Sequence, residues 1–315
     1  MARVAAVAIR QSLQRQPRSS ATPKHEARPI VHWKLKAAAF RVLDRVPFGT
    51  QAHFLSQRYL TRTWPRPRHW LTPFLGVATD VLDAFAQHGL TDAASATFLE
   101  IGAGRDLAVP IALRLSGAGR VIAVDIQRIA RLDLINHAAA VIADELGHEA
   151  PKFSSWADLE AFGIVYSAPH DLVRRPPGEP IDAFISNEVL EHIPPAALQE
   201  VLIVARSALK PGGLSIHSID YSDHYARDGG VSRYNFLRYP DADWARYNSG
   251  LNYVNRLRHS DYVAMHENAG LALIDVQTYS EPIPEEIRSS LATEFAGYDY
   301  DDLRTMRARI ISKRC

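Results

Sequence analysis

Phe98-Leu99-Glu100-Ile101-Gly102-Ala103-Gly104-Arg105-Asp106 is the stretch that most limits what this chain can become. The apolar run from Ala96 to Ile101 predicts a buried strand. Gly102 and Gly104 permit a tight turn and close approach of backbone to a ligand. Asp106 is placed to N-cap a helix over Leu107 to Leu113, with Pro110 tolerated in its first turn. Strand, glycine loop and helix together open a nucleotide-binding α/β unit. A dinucleotide fingerprint needs a third glycine at position 107, and Leu107 stands there, which weakens an NAD reading. A second strand, Arg120 to Asp125, ends in a carboxylate 23 residues after Gly102. That position lets Asp125 accept hydrogen bonds from both hydroxyls of a ribose. Glu100 and Asp106 repel a pyrophosphate and suit a cationic, phosphate-free nucleoside.

Beyond this unit, strands and helices alternate. Strands are expected at Phe162–Tyr166, Ile181–Ser186 and Leu214–Asp220, and helices at Ile129–Leu146 and Pro195–Leu209. Pro176–Pro180 and Lys210-Pro211-Gly212-Gly213 read as turns. The pattern implies a parallel sheet with helices on both faces. Helix His259–Asn268, strand Leu271–Thr278, helix Pro284–Phe295 and strand Arg304–Lys313 complete it. Upstream, Ile30–Leu43, Gln51–Leu60 and Thr72–Gly89 are helical in pattern. The connector Trp64–Trp70 is broken by prolines, and its two tryptophans pin a loop or platform a ligand. Residues 1–30 read as a disordered basic tail, 31–71 as a helical extension, and 72–315 as the nucleotide-binding domain. Residues 221–258 form an aperiodic insert rich in Tyr, Arg and Asn.

Four motifs, in order and at family spacing over residues 72–313, resemble those of the class I S-adenosylmethionine-dependent methyltransferases. They are Phe98–Gly104, Val121–Asp125, Ile181–Ile193 (which contains Ser186-Asn187-Glu188-Val189-Leu190-Glu191-His192) and Leu209–Leu214. The departure is Asp106, where many members carry a third glycine. The resemblance implies a Rossmann-like α/β fold, a seven-stranded mostly parallel sheet, and S-adenosyl-L-methionine as cofactor. It also implies residue roles. Glu100 lies near the methionine ammonium, Gly102 and Gly104 along the cofactor, and Asp125 on the ribose. Ile126 lies beside the adenine, Asp171 at its amine, and Ser186 and Asn187 near the methionine and methyl. Asp171 is equally well placed as a turn-former.

Transfer to a hydroxyl acceptor needs a base at the C-terminal edge of the sheet. Asp220-Tyr221-Ser222-Asp223-His224 follows the fifth strand, and His224 is the preferred base, oriented by Asp220 or Asp223. His192 is an alternative, although its Glu-His pair also suits a helix start. The insert's Tyr234, Asn235, Trp244, Tyr247, Asn248 and Asn255 offer rings and amides to a hydroxylated ligand, or else simply pack on the body. His137, His148, His217 and His266 show no ligand spacing with carboxylates, so no metal is expected.

The single cysteine, Cys315, excludes a disulfide framework within the chain and suits a reducing, cytoplasmic setting. No apolar run approaches the roughly 18 residues of a membrane span. From Met1 to Leu75 there are 14 Lys/Arg against Glu26 and Asp44, whereas the rest carries 22 basic and 33 acidic residues. A basic front end on an acidic body is a solvated extension, a transit-like segment, or a contact for an anionic membrane surface or charged partner. The expected function is methyl transfer to a small polar acceptor such as a sugar or glycolipid hydroxyl. The rival readings are an NAD(P) oxidoreductase and a non-catalytic binding protein on the same fold. Nucleic acid is disfavoured, because Ser186-Asn187-Glu188-Val189 replaces the Asn-Pro-Pro-aromatic signature of amino-methylating enzymes.

Overall fold

The computed structural model describes residues 32–89, 92–228 and 230–315. The expected basic tail, 1–30, lies outside them. Seven strands form one sheet: β1 (Thr97–Ile101), β2 (Arg120–Val124), β3 (Ile164–Ser167), β4 (Ile181–Asn187), β5 (Leu209–Asp220), β6 (Leu271–Ser280) and β7 (Thr305–Arg314). Their order is β3-β2-β1-β4-β5-β7-β6. The first five pair in parallel, and β7 runs antiparallel to both β5 and β6. Among the described residues the helices of six or more residues are α1 (Trp33–Arg45), α2 (Gly49–Leu55), α3 (Pro73–His88), α4 (Ala108–Leu115), α5 (Leu132–Leu146), α6 (Trp156–Ala161), α7 (Pro195–Ala208) and α8 (His259–Asn268). Among the described residues no helix is long and apolar enough to cross a membrane.

The central strands are apolar on both faces because helices cover both. In β4, Ile181 through Ser186 are all buried. One face packs Phe98, Val121, Ala123 and Ile185 against α3, α4 and α5. The other packs Leu99, Phe184 and Ile219 against Leu198 and Leu202 of α7 and Tyr262 of α8. Each such large side chain contributes roughly 1.5–3 kcal/mol by leaving water. The edge strand β6 alternates instead, with Leu271 buried and most of its later residues open.

A third core joins the two ends of the chain. Trp33 of α1 meets Tyr247 at a ring separation of 4.7 Å, Tyr225 at 5.6 Å and Tyr239 at 5.7 Å. Trp244, Phe236, Ile287, Phe295 and Met306 complete this cluster. The insert is therefore a packed cap that the N-terminal helix braces. Of the two readings offered for the insert, Tyr234, Asn235 and Trp244 follow the packing one: all three are buried. Arg258 is also fully buried, and its guanidinium donates to the carbonyls of Tyr221, Leu303 and Thr305.

Three local expectations are corrected. Lys210–Gly213 is not a plain turn: β5 already pairs at Leu209 with Ile181, then shifts register so that Leu214 meets Ala183. Lys210 stays there because its ammonium bonds both oxygens of buried Asp182 at 2.8 Å. The helix expected over Pro284–Phe295 breaks into turns at Glu285–Arg288 and Thr293–Phe295, where the Ala292 amide donates to Leu237 of the cap instead of a helical carbonyl. Asp106 does not occupy the N-cap position of α4; Leu107 does, in a left-handed conformation (φ 49°).

Candidate functional site

Gly102 and Gly104 both take positive φ, 71° and 73°, which lets β1 turn sharply into α4. A Cβ on Gly102 would fall 2.5 Å from Val189, whereas a Cβ on Gly104 would meet nothing within 4 Å. Gly104 thus faces open space. Asp125 ends β2 beside this loop. Its carboxylate accepts from the amides of Gly104 (3.2 Å) and Gln127 (2.9 Å), which fixes its direction. Ile126, next in sequence, is 64% exposed, an uncovered apolar side chain at the same rim.

The loop is a field of carboxylates. Glu100 is buried and its Oε2 has no hydrogen-bond partner. Burial, then Asp125 and Asp106, push its pKa well above the carboxylate range. Burial also raises Asp125, against the pull of the Gln127 and Gly104 amides. Burial raises Asp106 as well, with Arg66 opposing at 3.6 Å. Arg66 is held by stacking over Trp64 and Phe74. Phe54 of α2 lies beneath the guanidinium groups of Arg105 and Arg131. The N-terminal extension therefore clamps the glycine loop, a role the sequence pattern gave only as a tryptophan pinning a loop.

A second cluster lies directly against it, since Val189 packs on Gly102. Here β4 and β5 end, and the turn Glu188–His192 meets Asp220 and His224. His224 is buried, with Nε2 3.5 Å from Asp220 and 3.0 Å from Arg227. Asp220 accepts from the Ser222 amide and hydroxyl. Burial alone would raise Asp220, yet its contact with His224 and the hydrogen bonds from Ser222 hold it well below the usual range. Burial lowers His224 to about 4, Asp220 opposing. The His192 and His224 rings are 4.9 Å apart. His192 is exposed, and its Nδ1 faces the Tyr253 carbonyl at 2.6 Å. Glu191 is buried with neither carboxylate oxygen hydrogen-bonded. Burial, then Glu188 and Asp220, raise its pKa well above the ordinary carboxylate range, only partly offset by nearby backbone amides. Glu191, His192 and His224 each bring one ligand atom within 4.8 Å of the others. Sequence spacing did not reveal this set, because its members come from two different strand ends.

Residues 69–276, about two thirds of the chain, match the family model described as a methyltransferase domain. The chain belongs to the class I S-adenosylmethionine-dependent methyltransferases. The methyl donor of this methyltransferase is S-adenosyl-L-methionine. The oxidoreductase and non-catalytic readings fall with that match. No curated protein matches the chain in sequence. Among solved structures it is similar to magnesium protoporphyrin IX methyltransferase from Synechocystis PCC 6803 with bound SAH (12% identity, 88% of this chain and 100% of that one, TM-score 0.46). It is also similar to geranyl diphosphate methyltransferase in complex with GPP and sinefungin (19%, 76% and 77%, 0.45). A third is an O-methyltransferase family protein from Burkholderia thailandensis (14%, 90% and 68%, 0.45).

Within the methyltransferase, the other expected site residues divide. Asn187 ends β4 beside the rim. Ser186 does not offer its hydroxyl to the methionine, because it bonds His217 Nδ1 inside the sheet at 2.8 Å. Asp171 Oδ1 accepts from the amides of Val173 and Arg174, the arrangement of a turn-former, while its Oδ2 lies 3.4 Å from exposed Arg174. Asp223 does not orient His224; it accepts from the Tyr225 amide and from Asn235. A hollow of about 710 Å³ lined by His259, Asp301, Asp302 and Arg304 lies at the β6–β7 end of the sheet, three strands along from the glycine loop. Its carboxylates already serve Ser260 and Arg304.

Proposed function

We propose that this methyltransferase moves a methyl group to a hydroxyl of a small polar acceptor, seated at the rim of Glu191, His192, Asp220 and His224. The observation that carries the reading is the contact of Val189 with Gly102, which lays the rim segment against the cofactor loop. The loop fits the cofactor. Gly104 opens onto a space that a Cβ would fill, and the orphaned Oε2 of Glu100 with Asp106 and Asp125 favours a ligand bearing an ammonium and a sulfonium. S-adenosylmethionine supplies an already activated methyl group when bound. Asp125 holds the ribose hydroxyls, Gly102 and Gly104 present backbone, Ile126 lies along the adenine, Glu100 faces the methionine ammonium, and Asn187 borders the methyl.

The protein's remaining tasks are alignment, exclusion of water and removal of the acceptor proton. With Nδ1 facing the Tyr253 carbonyl, His192 carries its proton there and keeps Nε2 as an acceptor. His224 is neutral at pH 7 and a weak base, directed by Asp220. Replacing His192 or His224 by Ala should spare S-adenosylhomocysteine binding and lower turnover by about 10²-fold or more. Unchanged turnover in both variants contradicts the assignment of the rim.

The α1–α2 hairpin is proposed as a contact for an anionic membrane surface. Phe48, between the two helices, and Leu60, just past them, are 78% and 81% exposed, in a stretch that also carries Lys34, Arg41, Arg45 and Arg62. The full chain should sediment with vesicles containing phosphatidylserine and not with neutral ones, and Phe48→Ser should release it. No binding to the anionic vesicles overturns this contact.

A further inference from the structure

We propose that Glu191, His192 and His224 form a binding site for one divalent cation. The inference rests on the reading of this rim as the acceptor site, and it changes the imidazoles' part there: with a cation bound their nitrogens are ligands, and the cation ionises the acceptor.

Glu191 is the strongest pointer. A buried carboxylate normally closes hydrogen bonds on both oxygens, because leaving them bare costs several kcal/mol. Here neither is hydrogen-bonded, and one of them lies within 4.8 Å of a nitrogen of each imidazole. The His192 ring is held by its Nδ1 bond to the Tyr253 carbonyl, which is how proteins commonly orient a metal-binding histidine and leave Nε2 for the ion. The His224 Nε2 already meets a cationic group, since the Arg227 guanidinium donates to it at 3.0 Å. Arg227 also lies 3.3 Å from Asp220 and 3.8 Å from Glu188, with half its side chain exposed. It occupies the cation's side of the imidazole and can swing into solvent.

Charge and donor type agree. Three carboxylates, Glu188, Glu191 and Asp220, stand around two imidazoles against one guanidinium. Ligand atoms that share an ion at about 2.1 Å are at most about 4.2 Å apart, so a set within 4.8 Å closes by modest side-chain rotation. Two nitrogens and one carboxylate oxygen suit Mn²⁺, Fe²⁺, Co²⁺ or Zn²⁺ better than Ca²⁺ or Mg²⁺. Three protein ligands leave positions for the acceptor oxygen. A hydroxyl bound there loses its proton to water more readily. Its oxygen then forms the new C–O bond as the S–C bond breaks, with that electron pair staying on sulfur.

The test uses the full chain, stripped with EDTA and freed of chelator. MnCl₂, ZnCl₂ and MgCl₂ are titrated by calorimetry, and bound metal is counted by elemental analysis. S-adenosylhomocysteine is titrated separately. One Mn²⁺ or Zn²⁺ per chain is expected, with Mg²⁺ weaker. Glu191→Gln and His192→Ala should each weaken metal binding about tenfold or more and leave S-adenosylhomocysteine binding unchanged. Arg227→Gln, a half-exposed change, should tighten Mn²⁺ severalfold and guards against misfolding of the buried variant. Absence of bound cation in the wild type, or equal binding in His192→Ala, overturns the site. Loss of S-adenosylhomocysteine binding with metal retained would instead count against the methyltransferase reading.

Discussion

Asn255 holds Glu191 in place: the Asn255 amide donates to the Glu191 carbonyl at 2.8 Å. Its side chain donates to the carbonyls of Leu190 (3.0 Å) and Ile193 (2.9 Å), and accepts from the Tyr262 hydroxyl and the Leu257 amide. The last residues of the cap thus fasten the turn that carries Glu191 and His192. Asn255→Ala removes the side-chain donor to Leu190 and Ile193 and the acceptor for the Tyr262 hydroxyl and the Leu257 amide, a cost of about 2–4 kcal/mol. Steady-state kinetics at a temperature where the variant is folded should show kcat falling at least tenfold with the cofactor KM little changed. A KM effect alone would show that Asn255 acts on the cofactor and not on the rim.

The two loop glycines should fail differently. Gly102→Ala drives a methyl into Val189 at 2.5 Å in a left-handed backbone, so it should cost about 2–4 kcal/mol of stability, read from urea unfolding. Gly104→Ala meets only open space and pays for its φ alone, about 1 kcal/mol. Its methyl would enter the space proposed above for the cofactor, so calorimetry should show S-adenosylhomocysteine binding weakened tenfold or more. Equal stability losses in the two variants would contradict this distinction.

Arg66 connects the N-terminal extension to the cofactor loop through Asp106. Arg66→Gln removes the charge that most opposes the effect of burial on Asp106. Cofactor affinity should drop about three- to tenfold in an equilibrium titration, because the loop loses its brace. The size is modest, since Trp64 and Phe74 still pack there. Unchanged affinity would mean that α2 and the connector only cover the loop.

His217 gives the fold a pH dependence. It is fully buried between Ser186 and Ser215, and burial, then His266, lowers its pKa well below the usual value. The unfolded chain therefore binds a proton near pH 6.5 that the folded chain refuses. Stability from this group is complete above about pH 6.5 and is lost as pH falls below it. Buried Glu100 and Glu191, raised in the fold, act in the opposite sense above the ordinary carboxylate range. Comparison with His217→Gln isolates the histidine: its Tm should fall less between pH 7 and pH 5 than that of the wild type. Identical slopes would contradict the assignment.

The parts of the molecule legible in the sequence are those governed by short-range rules. The loop Glu100–Gly104, the carboxylate at Asp125 and the mostly parallel sheet follow from apolar runs, glycines and strand ends. What was not legible depends on contacts between distant segments. Ser186 looked like a cofactor contact until β5 placed His217 opposite it. The cap's tyrosines and asparagines looked like a sugar surface until Trp33, far away in sequence, buried the rings. Glu191 passed as part of a helix start because nothing local shows that both its oxygens lack partners.

The atom that receives the methyl group is what most directly distinguishes a hydroxyl-ionising rim from any other acceptor site. The full chain is incubated with S-adenosylmethionine carrying a ¹³C methyl and a small-molecule extract, and the labelled product is read by NMR. A methyl bonded to oxygen is the predicted result. A methyl bonded to nitrogen, sulfur or carbon would contradict the reading of Glu191, His192, Asp220 and His224 as a rim that ionises a hydroxyl.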